Sequence, residues 1–154
     1  MAFNWYTRDL DKGFPGMVAD ATNKIIDSYA VEEETGLEPG DAVIQGTDEN
    51  QVKKYAGTGT VIGIAAHHHK EPSEPSEPYY PQNYTVPVVT LGDIYVKVGE
   101  DVTAGDAACL MASTYAWGKT GTAVSNAYYY KGADKDGLAV VRLRTPATAV
   151  IQGE

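Results

Sequence analysis

Little in this chain is equipped for covalent chemistry. It has one cysteine, Cys109, so no disulfide can form within its 154 residues and packing must hold the fold. That thiol lies on the apolar run Ala107–Met111 and reads as a small buried hydrophobe rather than a nucleophile. Histidine occurs only as the adjacent trio His67, His68 and His69. Consecutive residues of an extended chain point to opposite sides, so the three do not converge on one metal. His67 and His69 could share a face near Glu71, but zinc sites space their ligands and draw others from elsewhere. Nucleophilic catalysis would need a base, and no dispersed histidine supplies one.

Positive charge is also scarce: 12 Lys and Arg stand against 21 Asp and Glu, for a net charge of −9. Such a surface repels phosphate, which argues against nucleic acid as a partner. The "GKTG" of Gly118–Gly121 lacks the upstream glycine of a phosphate loop. Carboxylates cluster at Glu32, Glu33, Glu34 and at Glu100, Asp101, Asp106, where they read as solvated faces or turn formers. No catalytic residue, cofactor or metal is therefore assigned. No run is long enough to span a bilayer, and "MAFNWYTRDLDKGFPG" has no signal-peptide core. The expectation is a soluble chain made in the cytoplasm, with no membrane partner.

No segment carries a long apolar stripe of helical period. Sixteen glycines, eight prolines and many short β-branched runs point instead to an all-β fold, a single small β-barrel or sandwich, jelly-roll-like. Residues 1–15 read as an extended N-terminal arm and 16–154 as the body, with a Pro/Glu-rich loop at 67–84. "NKIIDSYAV" is expected to be a strand rather than helical turns. "AVIQG" and "TVIGIAA" follow as strands, with "TDENQ" as a turn and Gly63 marking a bulge or close neighbour. Three strands are expected in "YTVPVVTLGDIYVKVGEDVTAGDAACLMAS", with Ile94, Val96 and Val98 on one face. "TGTAV" is a further strand. A hairpin-like pair is expected around Gly132–Gly137, with Arg142 and Arg144 opposed to Val141 and Leu143. Prolines 72, 75, 78 and 81 recur every third residue, which favours an extended polyproline-like path unsuited to a central strand.

Aromatic residues supply the candidate contacts. Phe3, Trp5, Tyr6 and Phe14, with Arg8 among them, either fold back on the body or dock onto another subunit. In "AYYYKG", Tyr128 and Tyr130 share a strand face opposite Tyr129; that face lines the body's own core or packs on a sister subunit. "LEPGDAVIQG" and "VTAGDAACLM" share a Gly-Asp-Ala turn, and "GTGTVIGIA" and "KTGTAVSNA" follow them. This recurrence is read as the turn chemistry any β-protein needs rather than as a duplication. "VGEDVTAGDAACL" is similar to the pattern of biotinyl and lipoyl carrier domains, but no lysine stands in the framing such carriers need.

The phrases "GFPGMVADATNKIIDSYAVEE", "LEPGDAVIQG", "YAGTGTVIGIAAH", "DIYVKVGEDVTAGDAACL" and "GLAVVRLRTP", in that order, give a family resemblance over most of residues 13–145. The chain resembles the structural cement, or capsid decoration, proteins of tailed bacteriophages. That resemblance implies a small β-barrel or sandwich on the outer capsid surface, with no catalytic residues to carry over. Its partners would be the major capsid protein, across joints between capsid subunits, and further copies of itself, as a homotrimer with a homodimer as the alternative. The interface candidates are then Phe3, Trp5, Tyr6, Arg8, Phe14, Tyr128 and Tyr130. The His and Glu-Pro loop is expected to face solvent away from the capsid, so that excision of Lys70–Pro81 would be tolerated. A rival reading is a receptor- or carbohydrate-binding β module of a virion, working through Trp117 and the tyrosines.

Overall fold

Short runs of β-branched and aromatic residues, each cut off by a glycine- or proline-containing turn, become strands in this chain. The computed structural model describes residues 13–20, 23–69 and 76–144. Among them are nine strands and no helix: β1 (Ile25–Val31), β2 (Ala42–Gln45), β3 (Gln51–Lys54), β4 (Val61–Ala65), β5 (Thr85–Lys97), β6 (Ala107–Leu110), β7 (Trp117–Gly118), β8 (Thr122–Lys131) and β9 (Leu138–Leu143). The all-β expectation holds. The strand at β1, the inward face of Ile94, Val96 and Val98, and the β8–β9 pair are also found.

The first five strands close into a barrel. Their order is β1-β3-β2-β4-β5, and β5 returns to pair antiparallel with β1. Its interior holds Val31, Leu37, Val43, Val52, Ala65, Tyr80, Val86 and Val88. The C-terminal half of β5 then starts a second sheet, ordered β5-β9-β8-β6-β7. That sheet also turns back on itself, because Val98, just past β5, bridges in parallel to Trp117 of β7.

The two halves follow one plan. β1 runs parallel to β3 at Val31–Val52, as Val98 does to Trp117. Leu37 bridges Tyr80, as Val102 bridges Ala133. The amides of Gly40 and Gly105 donate to Ala65 O and Tyr129 O, each at 2.7 Å. Both glycines sit in the left-handed region, at φ 94° and 95°, which a side chain rarely adopts. Asp41 and Asp106 each accept, at 2.9 Å, the amide three residues back. Asn83 and Asp136, both at positive φ, donate to Val31 O and Val98 O, each at 2.8 Å. Glu33 and Glu100 receive the amides of Lys54 and Lys119, each at 2.6 Å. The recurrence read from the Gly-Asp turns as common turn chemistry is thus a repeated pairing scheme that spans the whole fold.

The inward positions follow the same plan, although the residues that fill them differ in size. The eight inward residues of the first barrel correspond to Val98, Val102, Ala108, Trp117, Tyr129, Ala133, Ala139 and Val141, all buried in or packed against the larger apolar cluster. Ala65 and Tyr80 answer to Tyr129 and Ala133, so each barrel is plugged by one tyrosine supplied from a different position. Each hydroxyl then finds a carbonyl: Tyr80 donates to Ala66 O at 2.6 Å and Tyr129 to Gly118 O at 2.7 Å. The larger cluster also takes in the outer face of the first barrel through Ile44, Ile64 and Val89, which joins the halves. Trp117 adds a bond between them, its Nε1 donating to Gly40 O at 2.8 Å.

Several expectations are corrected. "TVPVVTLGDIYVK" forms one strand, not two, because it pairs with β1 and β4 at its start and continues unbroken to pair with β9. β3 arises in "QVKK", where only Val52 is fully buried. Gly63 is both a close approach and part of a bulge: a Cβ there would stand 2.5 Å from Val89 O, and the β2–β4 register shifts beside it.

The Glu-Pro loop joins Ala65 to Tyr80 through residues 66–79, where the second half uses only 130–132. Its far end is structural, since Tyr80 is 1% exposed. Excision of Lys70–Pro81 would remove that plug, so the tolerated deletion is narrower than expected. Removing residues 70–75 should leave the unfolding temperature nearly unchanged, whereas Tyr80→Ala should cost about 4 kcal/mol by chemical denaturation. Glu100 provides a pH test. Bonds from the amides of Thr120 and Lys119 hold its carboxyl below the ordinary range. Its stabilisation is therefore present above the unfolded value of about 4.3 and lost as pH falls through the folded one. Thermal melts should show Glu100→Gln less stable than the parent at pH 7, with the difference shrinking at pH 3.

Candidate functional site

The outward face of the second half is built by β5, β8 and β9. Inward positions are apolar, so alternation places Asp93 and Tyr95, Tyr128 and Tyr130, and Val140, Arg142 and Arg144 on the opposite side. Asp93 is the one charged residue among the described residues to be buried, at 7% exposure. Arg142 closes on it with two parallel bonds, Nε to Oδ1 at 2.7 Å and Nη2 to Oδ2 at 2.8 Å. This fork raises the Arg142 pKa further above its already high value, the Asp93 hydrogen bond being the main cause. The guanidinium lies 3.8 Å from the centroid of the Tyr130 ring. Arg144 stands 5.2 Å from the Tyr128 ring centroid and donates to its hydroxyl at 2.9 Å. Two tyrosines and two arginines are thus held as one array, with Tyr130 still 46% exposed.

Of the residues singled out from sequence, Tyr128 and Tyr130 share this face, and Tyr129 points inward with no measurable exposure. Burial pushes the Tyr129 phenol far above its ordinary pKa. Phe3, Trp5, Tyr6 and Arg8 lie outside the described residues. Phe14 lies elsewhere, 44% exposed, its ring centroid 4.4 Å from that of His67 in an edge-on contact. Sequence reasoning missed Asp93, a single acid inside an apolar run. It placed Arg142 and Arg144 on the outer face without seeing that they clasp the tyrosines.

The histidines are engaged at the root of the loop. His67 donates its amide to Gly16 O at 2.7 Å, and its Nε2 lies 3.2 Å from the Tyr79 hydroxyl. Burial pulls the His67 pKa below its ordinary value, with His69 and His68 adding to the effect. Tyr80 accepts the His68 amide at 2.9 Å, and burial pushes its phenol up to about 12. The expectation that 67–84 is wholly a solvent-facing loop is therefore corrected at both ends. No cluster of three or more metal-ligating side chains forms among the described residues. A cleft of about 530 Å³ opens between the halves, lined by Pro15, Pro39, Tyr115 and Trp117 with Lys54, Lys97 and Lys135 at its rim. Trp117 is 3% exposed, so it cannot offer a ring face to a sugar.

The Asp93–Arg142 pair yields a direct test. Arg142→Met should strand a buried carboxylate and cost about 3 kcal/mol in urea unfolding. Adding Asp93→Asn should recover much of that loss, the sign of coupling expected for a pair rather than for two independent surface effects.

The comparisons with known proteins agree with one another. A family profile described as "Structural cement protein (E217 gp24/Pam3 gp6)" matches residues 2–144. No curated protein matches. Among solved structures, a chain from "The capsid of Myoviridae Phage XM1" is 19% identical, with a TM-score of 0.67 over 94% of this chain and 99% of that one. At that identity the likeness speaks for the fold. With the family match extending over all nine described strands, the chain belongs to the bacteriophage structural cement protein family and is a component of the virion capsid.

Proposed function

We propose that this protein binds the outer surface of the capsid across joints between major capsid subunits and stabilises the particle. The observation that carries the reading, beyond family membership, is the Tyr128–Tyr130–Arg142–Arg144 array. Tyrosine and arginine are the residue types that anchor protein interfaces, and here their rotamers are fixed before any partner arrives. Preorganisation lowers the entropy lost on docking. Each contact can be weak, since contacts joined through one body raise each other's effective concentration. A footprint on the order of 1,000 Å² would give a specific attachment. Copies cluster in this reading, as trimers in preference to dimers, with the arm residues Phe3, Trp5, Tyr6 and Arg8 as further anchors. Its output is adhesion rather than turnover. The carbohydrate-binding alternative loses its main support with Trp117 buried.

Purified particles should carry a 16.5 kDa chain at a fixed ratio to the major capsid protein. Added back to stripped particles, Tyr130→Ala should bind at least tenfold more weakly while melting like the parent. Docking of a body with net charge −9 onto a basic capsid patch predicts association that slows with added salt, with dissociation little changed. Particles lacking the chain, or equal binding by Tyr130→Ala and by a Tyr128→Ala, Arg144→Ala double variant, would refute the reading.

A further inference from the structure

The repeated plan exposes one difference between the halves that bears on assembly. In the second half, the edge of β5 that faces away from β9 is covered. Val18 lies antiparallel to Ile94; Gly16 donates to Tyr95 O at 2.8 Å, Tyr95 to Met17 O at 2.9 Å and Ala19 to Asp93 O at 2.9 Å. The matching edge in the first half belongs to β1. Counting back from the equivalent Val31 and Val98, Ile26, Asp27 and Ser28 stand where Asp93, Ile94 and Tyr95 stand.

That edge is bare. Among the described residues, β1 meets β3 only at Ala30 and Val31, and β5 occupies its other side. Ser28 sits opposite Pro87, which has no amide to donate and whose carbonyl accepts from Ala66 at 2.8 Å on the far side. The N–H and C=O of Ser28 therefore point away from β5, toward the open edge. Ile25 and Ile26 are 47% and 40% exposed beside it. An unpaired apolar edge of this kind is a template for a further strand.

We propose that the free edge of β1 receives residues 1–12 of a second copy as an added antiparallel strand. The molecule supplies the precedent: the equivalent edge is covered by the segment that follows directly on those residues. "AFNWYT" (Ala2–Thr7) has the β-branched and aromatic content of a strand and can set an aromatic ring over Ile26. Twelve extended residues reach about 40 Å. Gly13, where the described chain begins, lies against Tyr95 and lines a hollow with Val102 and Leu138. It is therefore at the far end of β5 from the β1 edge, and the ladder from Ala19 at Asp93 to Gly16 at Tyr95 carries the preceding chain further from that edge, toward a neighbour's. Pairing of β1 with β1 of another copy about the equivalent centre would set Asp27 against Asp27, which is unfavourable.

This contact deepens the clustering in the reading above, and it is measured without capsid so that the two fail separately. The full chain, a chain lacking residues 1–12, Ser28→Pro and Ile26→Lys are compared by native mass spectrometry and light scattering, with melting curves to confirm folding. The parent should self-associate. Each variant should do so at least tenfold more weakly with its melt retained. An equal mixture of the truncated chain and Ser28→Pro should form a heterodimer, since one keeps the edge and the other the arm. Should Ser28→Pro fail to fold, Ile26→Lys takes its place in the mixture. A monomeric parent, edge variants that associate like the parent, or a mixture that stays monomeric would overturn the proposal. So would edge variants that keep self-association but lose particle binding, since the edge would then take a capsid strand.

Discussion

One strand, β5, belongs to both halves of the molecule, and the rest of the architecture follows from how it is buried. Val86 and Val88 point into the first barrel, while Val89, Ile94 and Val96 face the larger cluster on the other side. A strand enclosed on both faces cannot alternate polar with apolar along its length. The bulge near Thr90, seen as the register shift against β1, resets which residues point where as the chain passes from one half to the other. Gly92, at φ 127°, stands at the same crossing.

That double burial explains what the sequence did and did not disclose. "IYVKV" alternates because its outer face reaches solvent, so its inward residues were legible. "VPVVTLGD" does not, and the strand was read as broken. β3 and β7 are short, and each contributes one main inward side chain, too little for a periodic signal. The duplication showed itself only at its Gly-Asp turns, where backbone geometry dictates residue type. Elsewhere identities diverge, since Tyr80 stands where the second half has Ala133, and Tyr129 where the first has Ala65. The long connection at 66–79 further obscures the spacing. Of the candidate site, the shared face of Tyr128 and Tyr130 could be read from parity. Asp93 could not, because its partner lies on another strand and only the folded register brings them together.

Asp93 and Arg142 give the exposed face its stiffness. A carboxylate at that depth needs a fixed cation, and a guanidinium fixed at one end has few rotamers left at the other. Tyr130 inherits that order through the ring stacked on Arg142. The charge pair thus does more for the geometry of the surface than for the net stability of the fold, as expected of ion pairs partly removed from water.

The unequal connections carry a practical consequence. Two barrels on one plan have solved the same chain reversal twice, briefly at 130–132 and at length between His67 and Tyr79. The long version is pinned at each root, by His67 against Gly16 and by Tyr79 and Tyr80 packed on the first core, so a splice belongs between residues 69 and 76. Foreign peptide spliced there would be displayed from a body that folds without reference to it, one copy for every copy of the protein the shell carries.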